Sequence, residues 1–87
     1  MSDYKIQAIL FEKSVRSIGE AVEWILEHGY AIKKIDELPD SYKFKQLNEA
    51  YLKSKGYINY QNKEIAEGVI LGLVYKELRQ VNNLLIH

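Results

Sequence analysis

One stretch of this chain combines a capping box, an apolar stripe and a closing glycine. Ser17-Ile18-Gly19-Glu20 is a capping box, in which the serine hydroxyl accepts from the Glu20 amide and the Glu20 carboxylate reaches back to the Ser17 amide. Beyond it Ile18, Ala21, Val22, Ile25 and Leu26 recur at helical spacing as one apolar stripe, and Gly29 stands where a left-handed residue closes a helix. The stripe must be buried on something. Most of the remaining chain is β-forming, so the partner is a sheet.

Residues 4–13, "YKIQAILFEK", place Tyr4, Ile6, Ala8 and Leu10 on one strand face and Ile9 and Phe11 on the other. Apolar groups on both faces predict a central strand. Residues 30–38, "YAIKKIDEL", read as a second strand, ended by the turn Pro39-Asp40. A third strand over 41–47 completes an antiparallel hairpin. Residues 48–53 are open to two readings, a short helix capped by Asn48 and stopped at Gly56, or an ordered loop. Two further strands flank Glu67-Gly68, where glycine supplies a positive φ, and Gly72 marks a bulge or a close approach. The order β-α-β-β-(α)-β-β predicts an α+β fold, a mostly antiparallel sheet packed by one main amphipathic helix.

With 87 residues the chain is one domain, 1–87, and 47% hydrophobic residues suffice for a core. Residues 78–87 form a candidate docking or dimerisation tail, since Leu78, Val81, Leu84 and Leu85 need cover. The absence of cysteine excludes disulfides and thiolate metal sites. Twelve basic and twelve acidic side chains cancel, which disfavours extended duplex binding but leaves room for a local basic patch. No apolar run reaches the length of a membrane span, and "MSDYKIQ" lacks signal-peptide architecture, so a soluble, cytoplasmic protein without membrane partners is expected.

Catalytic groups do not converge in the sequence. His28 falls one helical turn after Trp24, so a ring-on-ring contact is expected in place of catalysis or metal binding. Glu20, Glu23 and Glu27 share a helix face away from the stripe and read as a solvated surface. Neither a phosphate loop nor a nucleophile elbow is present. The expectation is a protein that is not an enzyme and has no cofactor, metal or small-molecule substrate.

The segment Tyr42-Lys43-Phe44-Lys45-Gln46 offers the one other pattern. On a regular strand Tyr42 and Phe44 point to the helix and Lys43 and Lys45 to solvent, with Gln46 back on the aromatic side. Lys43, Lys45, Gln46, Lys53 and Lys55 are the candidate binding residues of a small nucleic-acid-binding module.

In order along the chain, "IQAILFEK", "AVEWILEHGY", "KKIDE", "YKFKQ" and "NKEIAEGVILGLVYK" resemble a small uncharacterised domain of tailed-phage and large-DNA-virus genomes. The likeness runs from Ile6 to about Lys76. Lysines 43 and 45 replace the arginines of the related Y-R-F-R-Q pattern, which keeps the charge but loses the bidentate geometry, and 48–56 lacks a proline. The resemblance implies a viral or prophage-derived accessory protein, in the host cytoplasm or on the virion, and no reaction. The leading expectation is therefore a non-enzymatic domain that binds a protein partner or a second copy of itself. Nucleic-acid binding through Lys43 and Lys45 is the alternative.

Overall fold

A computed structural model describes residues 3–76. Its elements are β1 (Tyr4–Glu12), α1 (Ile18–Glu27), β2 (Lys34–Glu37), β3 (Ser41–Lys45), α2 (Glu49–Ser54), β4 (Tyr57–Ala66) and β5 (Val69–Lys76). The five strands form one sheet in the order β2-β3-β1-β5-β4, with every neighbouring pair antiparallel. This is the α+β fold expected from the sequence, with β1 central as its two apolar faces require. β1 and β2 run parallel to each other with β3 between them, and α1 makes the crossover.

Both halves of the capping box are formed: the Glu20 amide donates to Ser17 Oγ at 3.2 Å and the Ser17 amide to Glu20 Oε1 at 2.9 Å. That bond from the Ser17 backbone holds the Glu20 carboxyl below its ordinary value. Gly29 closes the helix at φ 76°. The helix covers one sheet face, where Ile9, Phe11, Ala21, Ile25, Phe44 and Val69 are wholly buried. Here the expected stripe needs correction. Ala21 and Ile25 are buried and Val22 and Trp24 half-buried, but Ile18 and Leu26 lie outside at 41% and 63% exposure. The helix is rolled towards Trp24, whose ring meets Phe11 edge-on at 5.6 Å and offers more apolar surface than a leucine.

β1 carries a bulge at Gln7, between the pairs Ile6–Leu73 and Ala8–Gly72. The Gln7 carbonyl accepts from the amides of both Gln46 and Leu47, which ends β3 at Lys45, two residues earlier than expected. Opposite the bulge, a side chain at Gly72 would come within 3.3 Å of the Ala8 carbonyl, so bulge and close approach coincide there. β2 is shorter than the expected 30–38, because Tyr30 instead packs beside the α1 core, its amide bonded to the Ile25 carbonyl. The β4–β5 turn sets Gly68 at φ 72° against Val15, 2.7 Å from where a Cβ would stand.

Of the two readings for 48–53, the helix is the one adopted: Asn48 Oδ1 accepts from the Ala50 and Tyr51 amides, and Gly56 follows at φ 90°. This short helix lies on the sheet face opposite α1. Its Leu52 packs with Tyr57 and Val74, and Val74 points away from the face that carries Val69, Leu71 and Leu73. The candidate dimer residues Leu78, Val81, Leu84 and Leu85 lie outside the described residues.

Candidate functional site

The two sheet faces are covered unequally, and the incomplete cover defines the site. Period-two alternation places Ala8 and Leu10 of β1, Lys43 and Lys45 of β3, Ile70 and Gly72 of β5, and Tyr60 and Asn62 of β4 on the face away from α1. α2 shelters only one end of that face. Leu10 and Ile70 stay half-buried in the middle of the sheet, and among the described residues no helix lies above them.

Three shallow clefts cross this face and share lining residues. One, about 580 Å³, lies between Leu10, Ile70 and the turn at Asp40. The central one, about 230 Å³, has Ala8, Leu10 and Gly72 as its floor, Lys43 and Leu38 on one flank, and Tyr60 and Asn62 on the other. The last, about 350 Å³, runs between Tyr57, Ile58 and Tyr60 of β4 and Ala50 and Lys53 of α2. Leu10 belongs to the first two and Tyr60 and Glu49 to the last two, so they form one run across the sheet.

The candidate residues separate in three dimensions. Phe44 is wholly buried under α1 and Tyr42 packs beside it, with Phe11 and Phe44 edge-to-face at 5.3 Å, while Lys43 and Lys45 lie on the other face. Lys43 lines the central cleft and makes no ion pair among the described residues; Lys53 lines the cleft beside α2. Lys45 and Gln46 line a further cleft with Lys33 and Lys34, which meets the run at Glu49, and both Lys45 and Lys34 lie within 4.0 Å of the Asp36 carboxylate. Lys55 sits over the Tyr51 ring. The Gln46 amide is already engaged: its Oε1 accepts from the Ala31 amide at 2.9 Å and its Nε2 donates to the Ala31 carbonyl at 2.8 Å. The side chain is a clamp on the connection between α1 and β2, its amide spent on backbone. Tyr60, Asn62 and Leu10 were missed by sequence reasoning. The signal for Tyr60 and Asn62 was the period of two in 59–64, but only the pairing register brings β4 and β3 to one cleft with Leu10.

Histidine 28 stacks on Trp24, ring centroids 3.7 Å apart, the contact their spacing implied. Its Nδ1 lies 2.8 Å from the Trp24 carbonyl, which can only accept, so Nδ1 carries the proton and donates. Tyr57 donates to the Asp3 carboxylate at 2.9 Å, and that bond, aided by burial, raises its phenol above the ordinary value. Both rings are held as parts of the fold. Among the described residues no three His, Cys, Asp or Glu side chains gather as a metal site, and no helix is long and apolar enough to cross a membrane. The run of clefts offers apolar contact, the ammonium groups of Lys43 and Lys53, neither of which makes an ion pair among the described residues, and the hydroxyl and amide of Tyr60 and Asn62.

Comparison with protein-family models, with curated proteins and with solved structures gives no match.

Proposed function

We propose that this chain is a non-enzymatic accessory domain that binds a protein partner, an extended segment lying across the open sheet face. The carrying observation is the half-covered pair Leu10 and Ile70 between the Lys43 ammonium and the Tyr60 ring. A concave apolar floor with a few polar groups at its rim suits a segment with apolar side chains and one acidic residue placed to meet Lys43. The viral or prophage derivation, with a place in the host cytoplasm or on the virion, rests on the order of the five sequence motifs.

Selection of a random peptide library against the domain tests this reading. Enriched peptides should be apolar with an Asp or Glu; Leu10→Asp should abolish their binding, and Lys43→Glu should weaken it by about tenfold. Peptides indifferent to both substitutions would overturn the assignment.

One observation favours nucleic acid as a second reading. Lys43, Tyr60 and Asn62 share a cleft, which brings a cation, an aromatic ring and a base-pairing amide to one sheet face. Tyr42 and Phe44, on the helix-covered face, take no part in this surface. Anisotropy of a labelled single strand, titrated with salt, separates the readings: a steep loss of binding with salt belongs to nucleic acid.

A further inference from the structure

We propose that the outer edge of β4 pairs antiparallel with β4 of a second copy, about a two-fold axis at Asn62, so that one sheet runs through both chains. The two edges of this sheet are finished differently. β2 has four residues, of which Lys34, Asp36 and Glu37 are charged, the short and charged form that discourages further pairing. β4 has ten residues, without proline or glycine, and all but its first and last are exposed. Ile58, Tyr60 and Ile65 stand open on it. Among the described residues nothing pairs with its outer side. A long edge of unpaired amides and carbonyls calls for another strand.

Self-complementarity selects a second copy. Bulges lie between Tyr57 and Asn59 and between Glu64 and Ala66, so the regular ladder covers 59–64. Facing residues of an antiparallel pair share a sheet face, so a two-fold axis normal to the sheet must pass through a residue pair. An axis at Lys63 or Glu64 would set like charges opposite one another. An axis at Asn62 sets Gln61 opposite Lys63 and Tyr60 opposite Glu64 of the second copy, and the two Asn62 amides face each other. Every member of 60–64 then meets a group it can hydrogen-bond. An axis at Gln61 leaves Glu64 opposite Ile58 at the bulge. Because Tyr60 and Asn62 line the open-face cleft, pairing at this edge sets the clefts of the two copies side by side across the axis.

This inference names one partner for a protein-binding domain, and so rests on that reading. The chain has no cysteine, so single substitutions report position cleanly. On mild oxidation Asn62→Cys should yield a covalent dimer, and Ile35→Cys on β2 should not. In sedimentation equilibrium Gln61→Lys, which faces Lys63 of the second copy twice per dimer, should weaken association by roughly three- to tenfold. Adding Lys63→Glu to it should restore association. Gln61 and Asn62 are exposed, so the fold tolerates these changes. A monomer at high micromolar concentration overturns the pairing, as does a dimer indifferent to Gln61→Lys or one cross-linked equally through Ile35→Cys. A monomer whose peptide binding still depends on Leu10 would sink the edge pairing alone and leave the open-face reading standing.

Discussion

On the α1 face Ile9, Phe11, Phe44 and Val69 are wholly buried beneath a ten-residue helix, with aromatic rings meeting edge-to-face around Phe11. On the other face α2, six residues long, covers Val74 and leaves Leu10 and Ile70 half-exposed beside lysines. Both faces belong to the same five strands, so strand propensity does not separate them. The amount of helix that each face receives does. The closed face carries the stability of a small domain, and the open face leaves apolar surface half-exposed.

Truncation on the two faces of neighbouring strands gives the sharpest contrast. Phe44→Ala should cost about 3–5 kcal/mol, a large part of the roughly 5–10 kcal/mol such a domain possesses. Leu10→Ala, directly across the sheet on the neighbouring strand, should cost under about 1.5 kcal/mol, because solvent already reaches that side chain. Urea denaturation with a common slope measures both. Equal losses would mean that the open face is core.

The small second cluster lies between these extremes. Leu52 is fully buried with Tyr57 and Val74, and Leu52→Ala should cost about 2–3 kcal/mol. Its effect should be local: amide exchange in α2 and the start of β4 should quicken more than in β1. Uniform quickening would show that α2 is as integral to the fold as α1.

What the sequence revealed follows the same division. α1 was legible because its signals are local: a capping box, a stripe and a closing glycine within one segment. The faces of Tyr42, Lys43, Phe44 and Lys45 were legible because strand alternation is local too. The site was not. Lys43 and Tyr60 lie on the second and fifth strands in spatial order, separated by β1 and β5, and no local rule states that order. Gln46 was read as a binding residue because its clamp on Ala31 depends on a bulge at Gln7, which a regular strand pattern does not announce. Ile18 and Leu26 were misplaced for a similar reason: spacing gives a stripe its width, but Trp24 decides how the helix rolls.

A pH titration probes the closed face through its cap. The Glu20 carboxyl is held low by the Ser17 amide, so its folded pKa lies below its unfolded one. Its contribution is therefore complete above the unfolded value and lost as pH falls through the folded one. Glu20→Gln should lower the melting temperature by a few degrees near neutrality, and the two proteins should converge in acid. Curves that stay parallel down to the acid limb would show that the box contributes nothing through its charge.

The smallest effect on stability belongs to the open face and tests what that face is for. Lys43→Glu with Lys45→Glu alters two half-exposed side chains; Asp36 lies opposite Lys43 on β2, but among the described residues only Lys45 comes within ion-pair distance of it, at 4.0 Å. Surface ion pairs of that length contribute little, so the double variant should keep its melting curve within about 0.5–1 kcal/mol of the parent. The fold persists because Tyr42 and Phe44, on the other side of the same strand, are untouched. Binding is where the substitutions should register. An acid-bearing peptide loses its counter-charge at Lys43 and should bind more weakly with little dependence on strand chemistry elsewhere. A single-stranded oligonucleotide would lose binding outright, with a shallower salt slope in any residual association. Measured side by side on one folded protein, these two titrations decide which chemistry the uncovered half of the sheet serves.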